Sequence, residues 1–320
     1  MKTNNRVSLI HIGLIKTATT SMQQLWFSDP KTCLIHHGML PVVEKARLEG
    51  RNPQKKDSLP LKWQFDRPPD PGQHIVISQE ALSTAYINER AQTSEIRQFQ
   101  TIAARLISQV ASESKILITV RAPDHWIRST YNETVKHGST NTFPEFLARE
   151  RDFIKQSLNV SDLAEIWGNF FGEDNILVLP IELMWQNKQE FFDAVFRFSG
   201  VPAPDLRLST TANASLKHEH LKLMRNFNEW VTLFSRHGIY QGDIPLQVNQ
   251  ALQIIRYAVR KSLESPSSFL EETLAEVEKH LPGCEIPSST IDLDCLSDIK
   301  PCYKNFLHQN GFQNFKSLYS

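Results

Sequence analysis

Short, nearly continuous apolar runs alternate along this chain with longer stretches in which apolar residues recur every three or four positions. VSLIHIGL over 7–14, CLIHH over 33–37, HIVIS over 74–78, KILITV over 115–120 and NILVLP over 175–180 have the length and branched-aliphatic content of strands. The helical period appears at Ile96, Phe99, Ile102, Leu106 and Val110, at Leu163, Ile166, Trp167 and Phe170, and at Phe191, Phe192, Val195 and Phe196. This alternation predicts an α/β fold, a central parallel sheet of four or five strands flanked by helices. After residue 217 the strand pattern stops. Three helix faces (Leu221, Met224, Phe227, Val231, Phe234; Leu252, Ile255, Val259, Leu263; Phe269, Leu270, Leu274, Val277, Leu281) predict a mainly helical portion over 217–320.

Residues 44–73 follow neither period and hold five of the 17 prolines, with a Lys55-Lys56 pair. They read as a long proline-rich loop, a candidate acceptor-binding element, within a single domain spanning 1–320. With 35 Lys and Arg against 35 Asp and Glu, the chain lacks the basic excess that nucleic acid or an anionic membrane demands, so anion recognition has to be local. No apolar run reaches the length of a membrane span. MKTNNR followed by Val7–Ile15 has the order of a signal peptide. His11 and Gly13 interrupt it, however, and Lys16 stands where a small-residue cleavage site belongs, so a cytoplasmic protein is expected. Cysteines at 33, 284, 295 and 302 lack C-x-x-C spacing and read as reduced thiols; with His280, the last three make no standard metal set.

The densest chemistry follows the first strand. Gly13-Leu14-Ile15-Lys16-Thr17-Ala18-Thr19-Thr20-Ser21 leads from an apolar strand through a turn of small residues into the helical run Met22–Phe27. A helix start offers free backbone N–H groups and the positive end of its dipole to an anion; Lys16 adds charge and the hydroxyls add donors. This is not a nucleoside-triphosphate loop, whose G-x-x-x-x-G-K-[ST] pattern requires a second Gly directly before Lys and then Ser or Thr, and no strand ends in an Asp to hold magnesium. Thr and Ser at a helix start also serve plain N-capping, so the string alone leaves both readings open. A second group follows the strand 115–120: Arg121-Ala122-Pro123-Asp124, with Ser129 two helical turns on. In an open α/β sheet both would face the crevice beyond the carboxyl ends of the strands.

On these residues the sequence resembles the sulfotransferase family that uses 3′-phosphoadenosine 5′-phosphosulfate. GLIKTATTS is similar to that family's 5′-phosphosulfate loop, and VRAPDHWIRSTYN to its R-x-P-x-x-x-x-x-S motif for the 3′-phosphate. FGEDNILVLPIEL (171–183) and FFDAVFRFSGV (191–201) resemble a later strand with its Glu-Leu signature and the helix after it, so ordered matches span 9–201. The likeness is to bacterial and carbohydrate-type members; the R-K-G-x-x-G-D-W-K-N block of the cytosolic small-phenol and steroid enzymes is missing. Ala18 replaces the usual Gly and Ile15 the usual Pro. If position 18 needs positive φ, Ala strains the loop; if it is already helical, Ala is favourable there.

The resemblance implies a metal-free, in-line transfer of a sulfuryl group to a hydroxyl or an amine. Lys16 would be catalytic and, with Gly13, Thr17, Ala18, Thr19, Thr20 and Ser21, would bind the 5′-phosphosulfate; Arg121 and Ser129 would bind the 3′-phosphate. For the general base, Glu80 is the first candidate because it ends the third strand at the same sheet edge. A free carboxylate titrates near ~4.3, so it would need desolvation to work at neutral pH, and a helix-capping or ion-paired role explains it equally. His37, beside His36 at the end of the second strand, is the second candidate, with a pKa suited to the task. The acceptor would be a glycan precursor, a lipid-linked intermediate or a small molecule. A nucleotide or sugar kinase with a variant loop, or a nucleotide-binding protein without a base, are the competing readings. Oligomeric state is not legible.

Overall fold

The computed structural model describes residues 7–36, 39–51, 65, 68–84, 93–207, 215–237 and 256–264. Described residues up to Trp126 together with Asp152–Arg207 form one compact unit; Ile127–Arg151 with the described residues beyond 214 form another.

The first unit is built on a five-stranded parallel sheet: β1 (Val7–His11), β2 (Thr32–Ile35), β3 (His74–Ser78), β4 (Lys115–Val120) and β5 (Ile176–Pro180), in the order β2-β3-β1-β4-β5. Nearly every strand residue is buried, the signature of a parallel sheet covered on both faces. The flanking helices are α1 (Thr19–Ser28), α2 (Leu40–Arg51), α3 (Thr93–Ala111), the start of α4 (Pro123–Lys136), α6 (Arg151–Ser157), α7 (Val160–Phe171), α8 (Ile181–Gln186) and α9 (Lys188–Ser199); α5 (Phe143–Arg149) and α10 (His218–His237) belong to the second unit.

Helix periodicity becomes packing directly. In α3, Ile96, Phe99, Ala103, Leu106 and Ile107 are buried at three- and four-residue spacing against α2 and α7. Polar contacts fix the two pairs: Arg105 of α3 reaches Glu49 of α2 at 2.5 Å, and Arg97 reaches Asp162 of α7 at 2.9 Å. Under the sheet, Trp26 of α1 lies edge-on to both His11 and Phe192.

α2 corrects the expected loop boundary. Residues 44–51 are helical, not part of a loop, because Val42, Val43, Ala46 and Glu49 recur at helical spacing and are buried. Most of the remaining proline-rich stretch, 52–64 and 66–67, lies outside the described residues.

In the second unit, Asn132 of α4 holds both main-chain groups of Leu216, Asn228 of α10 donates to the carbonyls of Val135 and Ser139, and Lys136 meets Glu264 at 2.9 Å. Tyr131, Phe143 and Phe146 form its aromatic centre. Residues 256–264 are helical. The expected helix over 269–281, and Cys284, Cys295 and Cys302, lie outside the described residues.

Candidate functional site

β1 and β4 are neighbours whose following connections leave in opposite directions, β1 towards β2 and β4 towards β5. The carboxyl ends of such a pair open the crevice where α/β sheets place ligands. The chain beyond β1 continues to follow β4, with Ile12 N donating to Leu117 O and Leu14 N to Thr119 O, before turning into α1.

The turn has unusual backbone. Lys16 and Ala18 both have positive φ, 65° and 55°. Each costs about 1–2 kcal/mol in a residue with a side chain, so the loop holds a shape its residues do not prefer. Backbone that visits this region in turns forms concavities lined with N–H groups. Ala18 is the N-cap of α1 and no side chain caps the helix. Plain N-capping therefore does not account for the hydroxyl run, and the first N–H groups of α1 lack the usual side-chain acceptor. The Thr19 hydroxyl is buried with no hydrogen-bond partner. An orphaned buried donor at an uncapped helix start fits an anion.

Gly13 is dictated by space. A Cβ there would stand 2.7 Å from Thr19 Oγ1 and 2.8 Å from both Thr17 Oγ1 and Thr119 Oγ1. Three hydroxyls thus converge on the one residue that has no side chain.

β4 and its exit grip the loop from the other side. Trp126, buried in the first turn of α4, donates from Nε1 to Ile15 O at 2.8 Å, and half-buried Arg121 donates from Nη1 to Lys16 O at 3.1 Å. The Arg121 guanidinium lies 4.9 Å from the ring centroid of Trp185, whose other surface is exposed. Glu182, buried at the start of α8, accepts the Ala122 N–H at 3.0 Å. The β5–α8 corner therefore holds the β4–α4 corner, which holds the loop.

At the end of β3, the Ser83 hydroxyl stands 2.9 Å from Gly13 O and 2.8 Å from Glu80 O, sharing its proton between them. This ties the main chain of Glu80 to the loop and leaves the Glu80 side chain half-exposed at the same sheet edge. His36 sits across β3, its Nδ1 2.9 Å from Gln23 Nε2 and 3.1 Å from Ser78 O. His37 lies outside the described residues. Ser129 is buried on α4 within the second unit, whereas Gly13, Lys16 to Ser21, Glu80 and Arg121 all lie in the first.

No protein-family model and no curated protein sequence matches the chain. Among solved structures it is similar to the crystal structure of a sulfotransferase from Alicyclobacillus acidocaldarius, at 15% identity and a TM-score of 0.47, over 72% of this chain and 92% of that one. So distant a likeness leaves function to the residues themselves.

Three residues carry structure here that sequence reasoning passed over. His11 is fully buried; its Nδ1 lies 2.8 Å from Ser78 Oγ and its Nε2 2.9 Å from Thr119 Oγ1, which lies 2.9 Å from Thr17 Oγ1. Burial pushes the His11 imidazole down to about 3, so it is neutral at physiological pH. The signal was present in the sequence: His11, Ser78 and Thr119 are polar residues inside apolar strands. Among the described residues no group of three His, Cys, Asp or Glu side chains is arranged to hold a metal ion, and no helix is long and apolar enough to cross a membrane.

Proposed function

We propose that the chain is a sulfotransferase that moves a sulfuryl group from 3′-phosphoadenosine 5′-phosphosulfate to an acceptor hydroxyl, or amine, by in-line displacement. The observation that carries this reading is the uncapped α1 start behind a loop with two left-handed residues, with the buried Thr19 hydroxyl unpartnered beside it. The motifs of Lys16 and Arg121 say which anion is meant.

In this reading the N–H groups over Thr17–Thr20 and the Thr19 and Thr20 hydroxyls hold the 5′-phosphosulfate. Lys16 supplies positive charge to the bridging oxygen as its bond to sulfur breaks. Arg121, kept in place by Lys16 O and Trp185, binds the 3′-phosphate. The acceptor oxygen bonds to sulfur as its proton passes to Glu80, which the Ser83 hydroxyl keeps beside Gly13. Fixed donors aimed at developing charge supply most of the acceleration in such a transfer. Ser129, in the second unit, enters on the resemblance alone.

Calorimetric titration with adenosine 3′,5′-bisphosphate, 5′-AMP and ATP tests the donor site. A preference for the bisphosphate that Arg121→Ala reduces by ~1.5–3 kcal/mol, the worth of a charge-assisted contact, supports it. Equal affinities, or tighter binding of ATP with magnesium, would transfer the site to a kinase. Tight bisphosphate binding without sulfuryl transfer to any acceptor would make the protein a nucleotide binder.

A further inference from the structure

Donor counting gives the hydrogen bonds beneath the loop a direction. The Thr17 hydroxyl donates to Leu14 O at 2.5 Å, which uses its only proton. Its contact with Thr119 Oγ1 at 2.9 Å must therefore be accepted, with the Thr119 hydroxyl as donor. The Thr119 proton is then also committed, so the 2.9 Å contact between Thr119 Oγ1 and His11 Nε2 requires an N–H on Nε2. A neutral imidazole has one N–H, so Nδ1 accepts from Ser78 Oγ at 2.8 Å. One ordered chain results: Ser78 to His11, His11 to Thr119, Thr119 to Thr17, Thr17 to Leu14. Every member is buried.

We infer that His11 is a positioning residue, whose Nε2–H tautomer orients Thr119 and through it locks Thr17 at the centre of the loop, between the two left-handed residues Lys16 and Ala18. The relay crosses three adjacent strands, β3, β1 and β4, and ends on the turn. It answers how the loop keeps an unfavourable backbone when nothing is bound: the cost at Lys16 and Ala18 is offset by hydrogen bonds that form only in that shape. It also divides the hydroxyls by role. Thr17 spends its proton on Leu14 O and so presents only its N–H to an anion, whereas the Thr19 hydroxyl, with no partner, remains to donate. This division rests on the sulfuryl-transfer reading; the relay itself does not.

Two measurements on the full chain test the relay. In protein labelled with 15N-histidine, the His11 ring, recognised by its loss in His11→Asn, is expected as the Nε2–H tautomer. Second, Thr119→Val removes the hydroxyl at constant shape, while Thr119→Ser keeps it. Exchange of the bonded amides that flank the loop, Leu14 N–H on Thr119 O and Met22 N–H on Ala18 O, should be about tenfold faster in Thr119→Val and within about twofold of wild type in Thr119→Ser, the size of one net hydrogen bond. Amides of β5 serve as the control for general destabilisation. An Nδ1–H tautomer, equal exchange in the two variants, or a change in Thr119→Val shared equally by β5 would overturn the inference. Bisphosphate affinity should follow the same order as exchange. If the tautomer and the loop-confined change in Thr119→Val are found but wild type binds no bisphosphate, the relay stands and the sulfuryl-transfer reading falls instead.

Discussion

Arg121 reaches across from the end of β4 and donates to the main-chain carbonyl of Lys16, so the two cationic residues of the site are joined through backbone and not through their charges. The contact ties the Arg121 guanidinium to the backbone of the turn. A guanidinium suits this because its donors form a fork, one of them holding the carbonyl, while its carbon lies 4.9 Å from the ring centroid of Trp185.

Trp185→Ala should therefore loosen the site more than it weakens the fold. A half-exposed cation–π contact is worth ~0.5–1 kcal/mol, and unfolding in urea should shift by no more than that. Bisphosphate affinity should drop several-fold in the same variant, and Arg121→Lys, which keeps the charge but loses the fork, should bind worse than wild type. Wild-type affinity in both would show that the pair contributes nothing to recognition.

Ala18→Gly is expected to stabilise the protein by about 1 kcal/mol, since glycine adopts φ of 55° without the steric penalty. Denaturant midpoints decide it; a less stable variant would mean that the left-handed conformation carries little strain. Gly13→Ala should act in the opposite direction and abolish anion binding, because three hydroxyls occupy the space of the new methyl.

His11 carries a pH signature. Its folded pKa, about 3, lies below the ordinary value of 6.5. Between those values the unfolded chain binds a proton that the folded chain refuses, so this stabilising contribution is complete above pH 6.5 and is lost as pH falls towards 3. Lowering pH from 7.5 to 5.5 should cost on the order of 1 kcal/mol from this group. In His11→Asn, measured alongside, that part of the slope should vanish. An identical slope in both proteins would place the titration elsewhere.

Removing the Glu182 carboxylate tests the outer support. Glu182→Ala leaves the buried Ala122 N–H unsatisfied and should cost about 1–3 kcal/mol, whereas Glu182→Gln retains an acceptor and should cost less. Equal losses from the two substitutions would deny the hydrogen bond its role.

The architecture was legible in the sequence because it rests on periodicity. All five strands appear where apolar runs predict them, and α3, α7, α9 and α10 follow their apolar spacing. The turn of small residues between β1 and α1 was legible as a turn, and the structure draws Arg121 onto Lys16 O. Conformation was not legible: whether Ala18 is strained or helical depends on φ, which composition does not carry. Nor was the relay, because His11, Ser78 and Thr119 are 67 and 108 residues apart in chain separation from His11, and only strand register brings them level. The 44–51 boundary was missed because the prolines that follow dominated a segment whose first turns already carried a buried face.

β1 is hydrogen-bonded to a neighbour on each side, β3 and β4, whereas β2 lies at the edge of the sheet. An edge strand can detach while the rest persists; a central one cannot leave without dividing the sheet. Since the turn that leads to α1 grows directly out of β1, its foundation shares the opening free energy of the sheet as a whole. Partial unfolding that peels away β2 would release His36 and leave the turn after β1 standing, so the β2 end of the sheet can be remodelled at a cost far below that of erasing this turn.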